Sequence, residues 1–304
     1  MTRHLFAGLL LLGLRADIFR DPEKSQSKMS AETTSAAATP QALVSAGIDL
    51  ADQLRLRGEL QAAAQTLEKG VQAARSTPYE IEFATRIRLG MTLADVYLAL
   101  NRACDAAAFL SEEAAFADKI AQIMQATGTP HQKRSAISGY LQIRDRGAQI
   151  GLLGQPAVDL ELNIWLVGAP ITLEELRGKV VLLEFWATWC KPCQEMFPKL
   201  TALYDRQAGS GFEIIALTRH YMAYKGPLEA RNEELDLMRK TVNEHGVRFR
   251  VAVAEDERWQ TLYGANGLPT VVLIDRRGIV KYAGPGGEDP IFQKALEQCL
   301  ADTP

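Results

Sequence analysis

Apolar residues recur every three or four positions between residues 41 and 150, where alanine, leucine, glutamine and arginine dominate. This spacing puts the apolar side chains on one face of a helix and predicts a series of amphipathic helices. The first covers 43–56, and the second begins at Leu60 and is closed by Pro78, which cannot continue the helical hydrogen-bond ladder. Further helices are predicted over 80–100, 104–125 and 133–147.

After Gly151 the apolar spacing shortens to about two residues, and glycine, proline and β-branched residues increase. Predicted strands now alternate with predicted helices, and the last two strands form a hairpin across residues 276–278. The strands are predicted over 157–166 (a strand or hairpin), 180–185, 212–218, 249–254, 271–275 and 279–283. The helices are predicted over 194–208, 228–245, 256–263 and 289–300, with a short helical turn over 172–176. This order indicates an α/β domain with a mixed sheet flanked by helices.

The length and composition agree with two soluble domains, an all-α one over 41–150 and an α/β one over 151–304. Hydrophobic residues make up 47% of the 304 positions and charged residues 23%, which excludes wholesale disorder and a multi-span membrane protein. The 34 basic and 37 acidic residues give a formal net charge of −3. The chain has no net positive charge that would attract the phosphates of nucleic acid, so nucleic acid is not a predicted partner.

The chain begins with a short apolar run over 5–14, preceded by Arg3 and His4. Residues 1–16 are therefore predicted to be a signal peptide or a short membrane anchor, which would place the protein in the cell envelope, facing the periplasm or the exterior. The run is well short of the ~20 residues that span a bilayer. Its end is a poor cleavage site, and the alternative is a cytoplasmic protein translated from Met29. Polar residues 17–40 are predicted to be a flexible linker.

Two of the predicted helical pairs resemble tetratricopeptide-type repeats. The segment 58–60 followed by Leu67 resembles the second helix of one unit, and the segment from Leu89 to Leu100 begins the next helix-turn-helix. The spacing exceeds the about 34-residue period of the repeat, and its tryptophan and tyrosine positions are not met cleanly. Two interpretations stay open: an array that binds a protein partner, and a helical bundle packed on its neighbour.

The chemistry is concentrated in Cys190-Lys191-Pro192-Cys193, which lies between a predicted buried strand and a predicted helix. Two intervening residues on a first helical turn bring the sulfurs close enough to bridge. Unpaired N–H groups and the macrodipole favour a thiolate at Cys190, which makes it the candidate nucleophile for disulfide exchange. Cys193, farther into the helix, is the candidate resolving thiol. A zinc site is disfavoured because Cys104 and Cys299 are isolated, and no metal is predicted.

The segment FWATWCKPC at 185–193, preceded by LEELRGKV at 173–180, resembles the thioredoxin superfamily and its TlpA/ResA branch most closely. The resemblance covers about half of the chain, from 151 to 300. It implies an envelope-facing thiol-disulfide oxidoreductase that acts on protein thiols and disulfides, without a cofactor, and receives electrons from a separate protein. A peroxiredoxin is rejected because Ala187 stands where its threonine is required.

The resemblance also implies roles for single residues. Gly267-Leu268-Pro269-Thr270 matches the cis-proline loop, in which the backbone of Leu268 pairs with substrate and Pro269 is cis; the alternative is an ordinary loop proline. Glu184, six residues before Cys190, matches a buried carboxylate that exchanges a proton with the resolving thiol; the alternative is a carboxylate that faces water. Trp189 is expected to pack beside the disulfide and to contribute to substrate binding.

A segment at 219–248 makes this chain longer than minimal thioredoxins, and its first residues are aromatic and basic. They line a partner groove in one interpretation and form a solvated loop in the other, which we favour; His220 is interpreted as structural. The predicted function is a reductase of partner-protein disulfides. The alternative is a scaffold in which the helical domain binds partners and the thioredoxin fold is a docking module.

Overall fold

The computed structural model describes residues 39–207, 209–222 and 227–302. Two compact units divide the chain between Arg144 and Asp145. The boundary predicted from composition lies six residues later, after 150. The predicted targeting segment 1–16 and nearly all of the predicted linker 17–40 lie outside the described residues.

The all-α region expected from the helical spacing is confirmed. Its helices are α1 (Pro40–Leu56), α2 (Leu60–Ser76), α3 (Phe83–Ala99), α4 (Ala103–Thr127) and α5 (Pro130–Leu152), the last of which continues into the second unit. Helix α1 starts cleanly because Thr39 accepts a hydrogen bond from the Ala42 N–H and Pro40 occupies the first turn. The relation to tetratricopeptide repeats stays a prediction.

A buried ion pair crosses the interior of the helical unit. Arg86 of α3 donates to Glu113 of α4 over 2.8 Å, and both side chains are almost fully buried. The Arg86 guanidinium also lies 3.5 Å from the centre of the Phe116 ring and donates to the Ala74 carbonyl. Arg75 reaches the same Glu113 carboxylate from the surface. The pair therefore fixes how α3 and α4 face each other, since any other register would leave a charge buried without its partner.

We expect Arg86→Met to lower the free energy of unfolding of the helical unit by about 3 kcal/mol, because it leaves the Glu113 carboxylate buried with a poorer partner. Arg88→Met is the matched control: Arg88 is exposed and pairs with Asp49 and Asp52 at the surface, so its loss should cost less than about 1 kcal/mol. Urea unfolding followed by far-ultraviolet circular dichroism measures both. Equal costs for the two variants would contradict the assigned role.

The second unit contains one mixed six-stranded sheet, in agreement with the predicted α/β domain. Its elements, in chain order, are β1 (Ile164–Val167), β2 (Val180–Phe185), α6 (Lys191–Arg206), β3 (Phe212–Arg219), α7 (Leu228–Glu244), β4 (Arg250–Ala254), α8 (Arg258–Leu262), β5 (Thr270–Ile274), β6 (Val280–Gly284) and α9 (Pro290–Ala301). The strand order is β1-β4-β3-β2-β5-β6. Strands β2, β3 and β4 run parallel, while β1, β5 and β6 pair antiparallel with their neighbours.

Strand β2 lies in the centre of this sheet, and all six of its residues are buried. Its side chains alternate between two apolar layers. Val180 and Leu182 face the layer that also contains both cysteines of the CxxC segment, and Val181 and Leu183 face the opposite layer. A strand that is covered on both faces requires apolar residues throughout, which explains its unbroken hydrophobic run.

Two sequence predictions are corrected in this unit. The strand or hairpin expected over 157–166 is reduced to the short edge strand β1. The Asp159 carboxylate accepts hydrogen bonds from the N–H groups of Leu160 and Leu173, so these residues form a loop rather than a ladder. Helix α6 begins at Lys191 rather than Gln194, because Cys190 caps it.

Candidate active site

The CxxC segment forms the start of helix α6. Cys190 is the N-cap residue, and its Sγ accepts a hydrogen bond from the Cys193 N–H over 3.3 Å. The two cysteines form a disulfide, with their Cα atoms 5.3 Å apart. Cys190 is 4% exposed and Cys193 is fully buried. A partner arriving from solvent therefore meets the Cys190 sulfur first.

The same geometry favours a thiolate at Cys190 when the disulfide is reduced. Cys190 caps the N-terminus of α6, and the helix macrodipole places partial positive charge there. Lys191 adds a cation next to Cys190, although its exposed ammonium lies 3.8 Å from Glu195 and shares its charge with that carboxylate. The dominant stabilisation is thus the helix terminus itself.

Glu184 is fully buried in strand β2, between Ala216 of β3 and Val271 of β5. Strand alternation directs its side chain to the same layer as Val180 and Leu182, the layer that contains Cys193. Neither carboxylate oxygen has a hydrogen-bond partner, and desolvation raises the pKa of Glu184 well above its ordinary value. The alternative interpretation, a carboxylate that faces water, is wrong.

The peptide bond between Leu268 and Pro269 is cis, as the resemblance implies. The residue after it, Thr270, pairs with Phe185 across strands β5 and β2, and its hydroxyl donates to the Gly267 carbonyl over 2.6 Å. Strand β2 therefore ends close to the point where the cis-proline loop joins β5. The CxxC segment follows at this same end of the two strands. The antiparallel register brings together two segments that are about 80 residues apart in the sequence.

Trp189 behaves differently from the packing residue that the sequence suggested. It is 60% exposed, and its ring contacts the Tyr221 ring edge-on, with the centres 5.4 Å apart. The Arg219 guanidinium lies over the other ring of this pair, 4.2 Å from the centre of Tyr221. Trp186, by contrast, is fully buried against Phe197. An aromatic surface with a cation behind it thus adjoins Cys190.

Tyr221 is held in place by a buried carboxylate that sequence reasoning missed. Glu234 of α7 accepts hydrogen bonds from the N–H groups of Tyr221 and Met222, and it lies 3.1 Å from Nδ1 of His220. His220 is fully buried, which agrees with its interpretation as a structural residue. The start of the 219–248 segment is therefore fixed rather than a solvated loop, at least through residue 222. No local signal identified Glu234, since a glutamate on a polar helix is ordinarily exposed.

The other two cysteines lie away from this chemistry. Cys104 is exposed on α4, while Cys299 is buried on α9, where desolvation raises the pKa of its thiol to about 11. Among the residues that the structure describes, no group of three or more His, Cys, Asp and Glu side chains could hold a metal ion. Within the same residues, no helix is both long enough and apolar enough to cross a membrane.

Comparisons with known proteins agree with this geometry. Residues 153–283 match the AhpC/TSA family. The chain is 34% identical over 145 residues to the thiol-disulfide oxidoreductase ResA of Halalkalibacterium halodurans, and the match covers 47% of this chain and 75% of that protein. The chain belongs to the ResA family of thiol-disulfide oxidoreductases. Its second unit is accordingly a thioredoxin-like domain, which confirms the predicted fold class.

Other members of the family match a shorter stretch. ResA of Bacillus anthracis is 39% identical over 116 residues, which is 38% of this chain and 60% of that protein. A solved structure of a putative thiol:disulfide interchange protein DsbE from Chlorobium tepidum is 31% identical and aligns with a TM-score of 0.39 over 49% of this chain and 94% of its own. The match to the AhpC/TSA family lies within the second unit. Ala187 still argues against peroxiredoxin chemistry.

The burial of Glu184 predicts a pH-dependent stability. With its pKa raised in the folded state, the folded protein keeps a proton that the unfolded chain releases above about pH 4.3. Between about pH 4.3 and the raised pKa, the folded state therefore binds more protons than the unfolded chain. The free energy of unfolding falls as pH rises through this window, with a slope that approaches about 1.4 kcal/mol per pH unit. Glu184→Gln removes this loss, so its advantage over the wild type should grow with pH.

Urea unfolding of the oxidised protein at several pH values measures this difference. Glu174→Gln is the control, because Glu174 is exposed and its substitution should leave the pH dependence of the wild type unchanged. Parallel stability curves for the wild type and Glu184→Gln would contradict a raised pKa at Glu184.

Proposed function

We propose that the protein is a thiol-disulfide oxidoreductase that reduces disulfides in partner proteins. The observation that carries this proposal is the position of Cys190, whose Sγ accepts the Cys193 N–H at the start of α6, beside the cis-proline loop. A sulfur in this position is stabilised as an anion and is both a good nucleophile and a good leaving group. Membership of the ResA family supports the same chemistry.

The reaction proceeds in two exchange steps. The Cys190 thiolate attacks one sulfur of the partner disulfide, forms a mixed disulfide and releases the other partner sulfur as a thiolate. Cys193 then attacks the Cys190 Sγ, which releases the second partner sulfur and closes the Cys190–Cys193 disulfide. Two electrons have moved from the dithiol to the partner. A separate electron-donor protein with a dithiol returns the pair to the reduced state, so no organic cofactor or metal is required.

Glu184 exchanges the proton that this cycle requires at Cys193. Cys193 is buried, and its thiol must lose a proton before it can attack the mixed disulfide. A carboxylate that burial has made more basic is a suitable acceptor on the same layer of the core. The released partner thiolates take up protons from solvent.

Leu268, Pro269 and Trp189 form the substrate-binding surface in this proposal. Pro269 has no N–H that could donate a hydrogen bond within the loop. The main chain of Leu268 can therefore pair with an extended segment of the partner. Trp189 offers an exposed aromatic surface next to the attacking sulfur. Recognition of the backbone together with one apolar contact suits a reductase that accepts more than one sequence.

The proposed direction of electron flow is based on the residues between the cysteines. Lys191-Pro192 is closer to the Gly-Pro of thioredoxin than to the Pro-His of a strong oxidant, which favours a reductant. We further propose that the protein acts in the cell envelope and that the helical domain over 41–150 binds a protein partner; both rest on the sequence. Membrane and soluble fractions of cells that express the full chain, compared with a version started at Met29, test the location.

The mechanism predicts that Cys193→Ala traps a mixed disulfide with the substrate through Cys190, since the resolving step is lost. The adduct should disappear in Cys190→Ser/Cys193→Ala. Cys104→Ser serves as the background for all variants, because Cys104 is the exposed free cysteine of the described residues, whereas Cys299 is buried and weakly acidic. Non-reducing electrophoresis and mass spectrometry identify the linked cysteine. Recovery of the adduct through another cysteine would overturn the assignment.

The equilibrium reduction potential of the Cys190–Cys193 pair tests the direction. A reductant should lie near the about −270 mV of thioredoxin, and a value near the about −120 mV of DsbA would make the protein an oxidant. Redox titration against glutathione or dithiothreitol, read by thiol alkylation, supplies the value. If Cys190→Ser leaves the biological role intact, the scaffold alternative replaces the proposed function.

A further inference from the structure

The loop that leads into the cis peptide bond is held by side chains that come from far earlier in the sequence. It follows α8 and runs from Tyr263 to Gly267, directly before Leu268. Tyr263 is buried, and its hydroxyl donates to the Val158 carbonyl. Further contacts come from the last two turns of helix α5, residues 145–152, which belong to the same compact unit as the loop.

Asp145 makes the central contact. One carboxylate oxygen, Oδ2, accepts the backbone N–H groups of Asn266 over 3.0 Å and of Gly267 over 3.3 Å. The other oxygen, Oδ1, accepts the Asn266 side-chain amide over 3.0 Å. Asp145 is only 6% exposed, so these charge-assisted hydrogen bonds compete little with water. A single buried carboxylate thus fixes two successive peptide groups next to Leu268.

Gln149, one turn later on α5, holds the start of the loop. Its buried side-chain amide donates to the Gly264 carbonyl over 2.7 Å. Gly264 has φ +61°, and a Cβ atom there would lie 2.3 Å from the Asp145 carbonyl oxygen. Only glycine satisfies both conditions. The loop therefore presses directly on the helix, and it cannot shift without breaking these contacts.

We propose that Asp145 is a positioning residue for substrate capture, because it orders the segment that presents the Leu268 backbone to the partner chain. The inference rests on the proposed function. Binding an extended peptide to a loop that is already ordered avoids the entropy cost of fixing it on contact. Asp145 touches neither the substrate nor the cysteines in this proposal, so its effect falls on substrate binding rather than on sulfur chemistry.

The test compares Asp145→Asn with the wild type in the full chain. Asparagine keeps the shape but loses the negative charge and one acceptor oxygen, so the N–H groups of Asn266 and Gly267 lose their charge-assisted hydrogen bonds. With insulin as the protein disulfide and saturating dithiothreitol as the reductant, we expect KM for insulin to rise about tenfold, the effect of losing one charge-assisted hydrogen bond, with little change in kcat. The reaction with the small disulfide 5,5′-dithiobis(2-nitrobenzoate) and the reduction potential should be unchanged.

Asp275→Asn is a closely matched control. Asp275 is 7% exposed, and its Oδ1 accepts the backbone N–H groups of Arg277 and Ile279 in the turn after β5. It lies at the end of β5 opposite Pro269, roughly 17–20 Å away along the strand. Its substitution removes the same kind of contact and should lower the thermal midpoint similarly, while KM for insulin stays at the wild-type value.

The outcomes separate the inference from the proposed function. A wild-type protein that does not reduce insulin through Cys190 overturns the proposed function. A wild type that does so, with an unchanged KM in Asp145→Asn, overturns only the role of Asp145. Parallel changes in KM, in the small-disulfide reaction and in the potential would show general damage and also overturn it. If Asp145→Asn does not fold, Gln149→Met, which removes only the contact to Gly264, must raise KM in the same direction.

Discussion

The central constraint in this molecule is that a buried strand must end where a helix begins, with a sulfur at the junction. Strand β2 is covered on both faces and is hydrogen-bonded on both sides, so its end has a fixed position. Cys190 follows within five residues and caps α6. The cis-proline loop leads into β5, the antiparallel neighbour of β2. It therefore lies at the end of the sheet where β2 ends. The site is therefore a product of sheet register more than of the local motif.

Buried polar side chains interrupt the apolar core near the CxxC segment, among them Glu184, His220 and Glu234. Burying Glu184 without a hydrogen-bond partner opposes folding and is tolerated because the surrounding strands are fixed by their own ladders. His220, directly after β3, and Glu234 of α7 are buried as a pair and hold the backbone beside Trp189. The Glu184 carboxylate thus has no hydrogen-bond partner in the core, whereas the Glu234 carboxylate fixes the backbone of Tyr221 and Met222 near Cys190.

Much of this arrangement could be predicted from the sequence, and the reasons for success and failure are local. Strand β2 and the CxxC segment are predictable because a continuous apolar run and two cysteines separated by two residues can be recognised in the sequence alone. The 157–163 segment alternates apolar and polar residues like a strand, yet the Asp159 side chain takes up two backbone N–H groups and keeps the segment out of the ladder. Glu234 and Asp145 gave no signal, because their burial arises only when helices meet distant loops.

The reach of helix α5 changes how the molecule should be divided. The composition places the domain boundary after residue 150, where the helical pattern is replaced by strands. A cut there would separate Asp145 and Gln149 from the loop they hold, and the remaining fragment would keep its sheet and both cysteines. Such a fragment would look complete by every local criterion. The boundary defined by contacts falls six residues earlier, so the second compact unit begins inside a helix rather than after it.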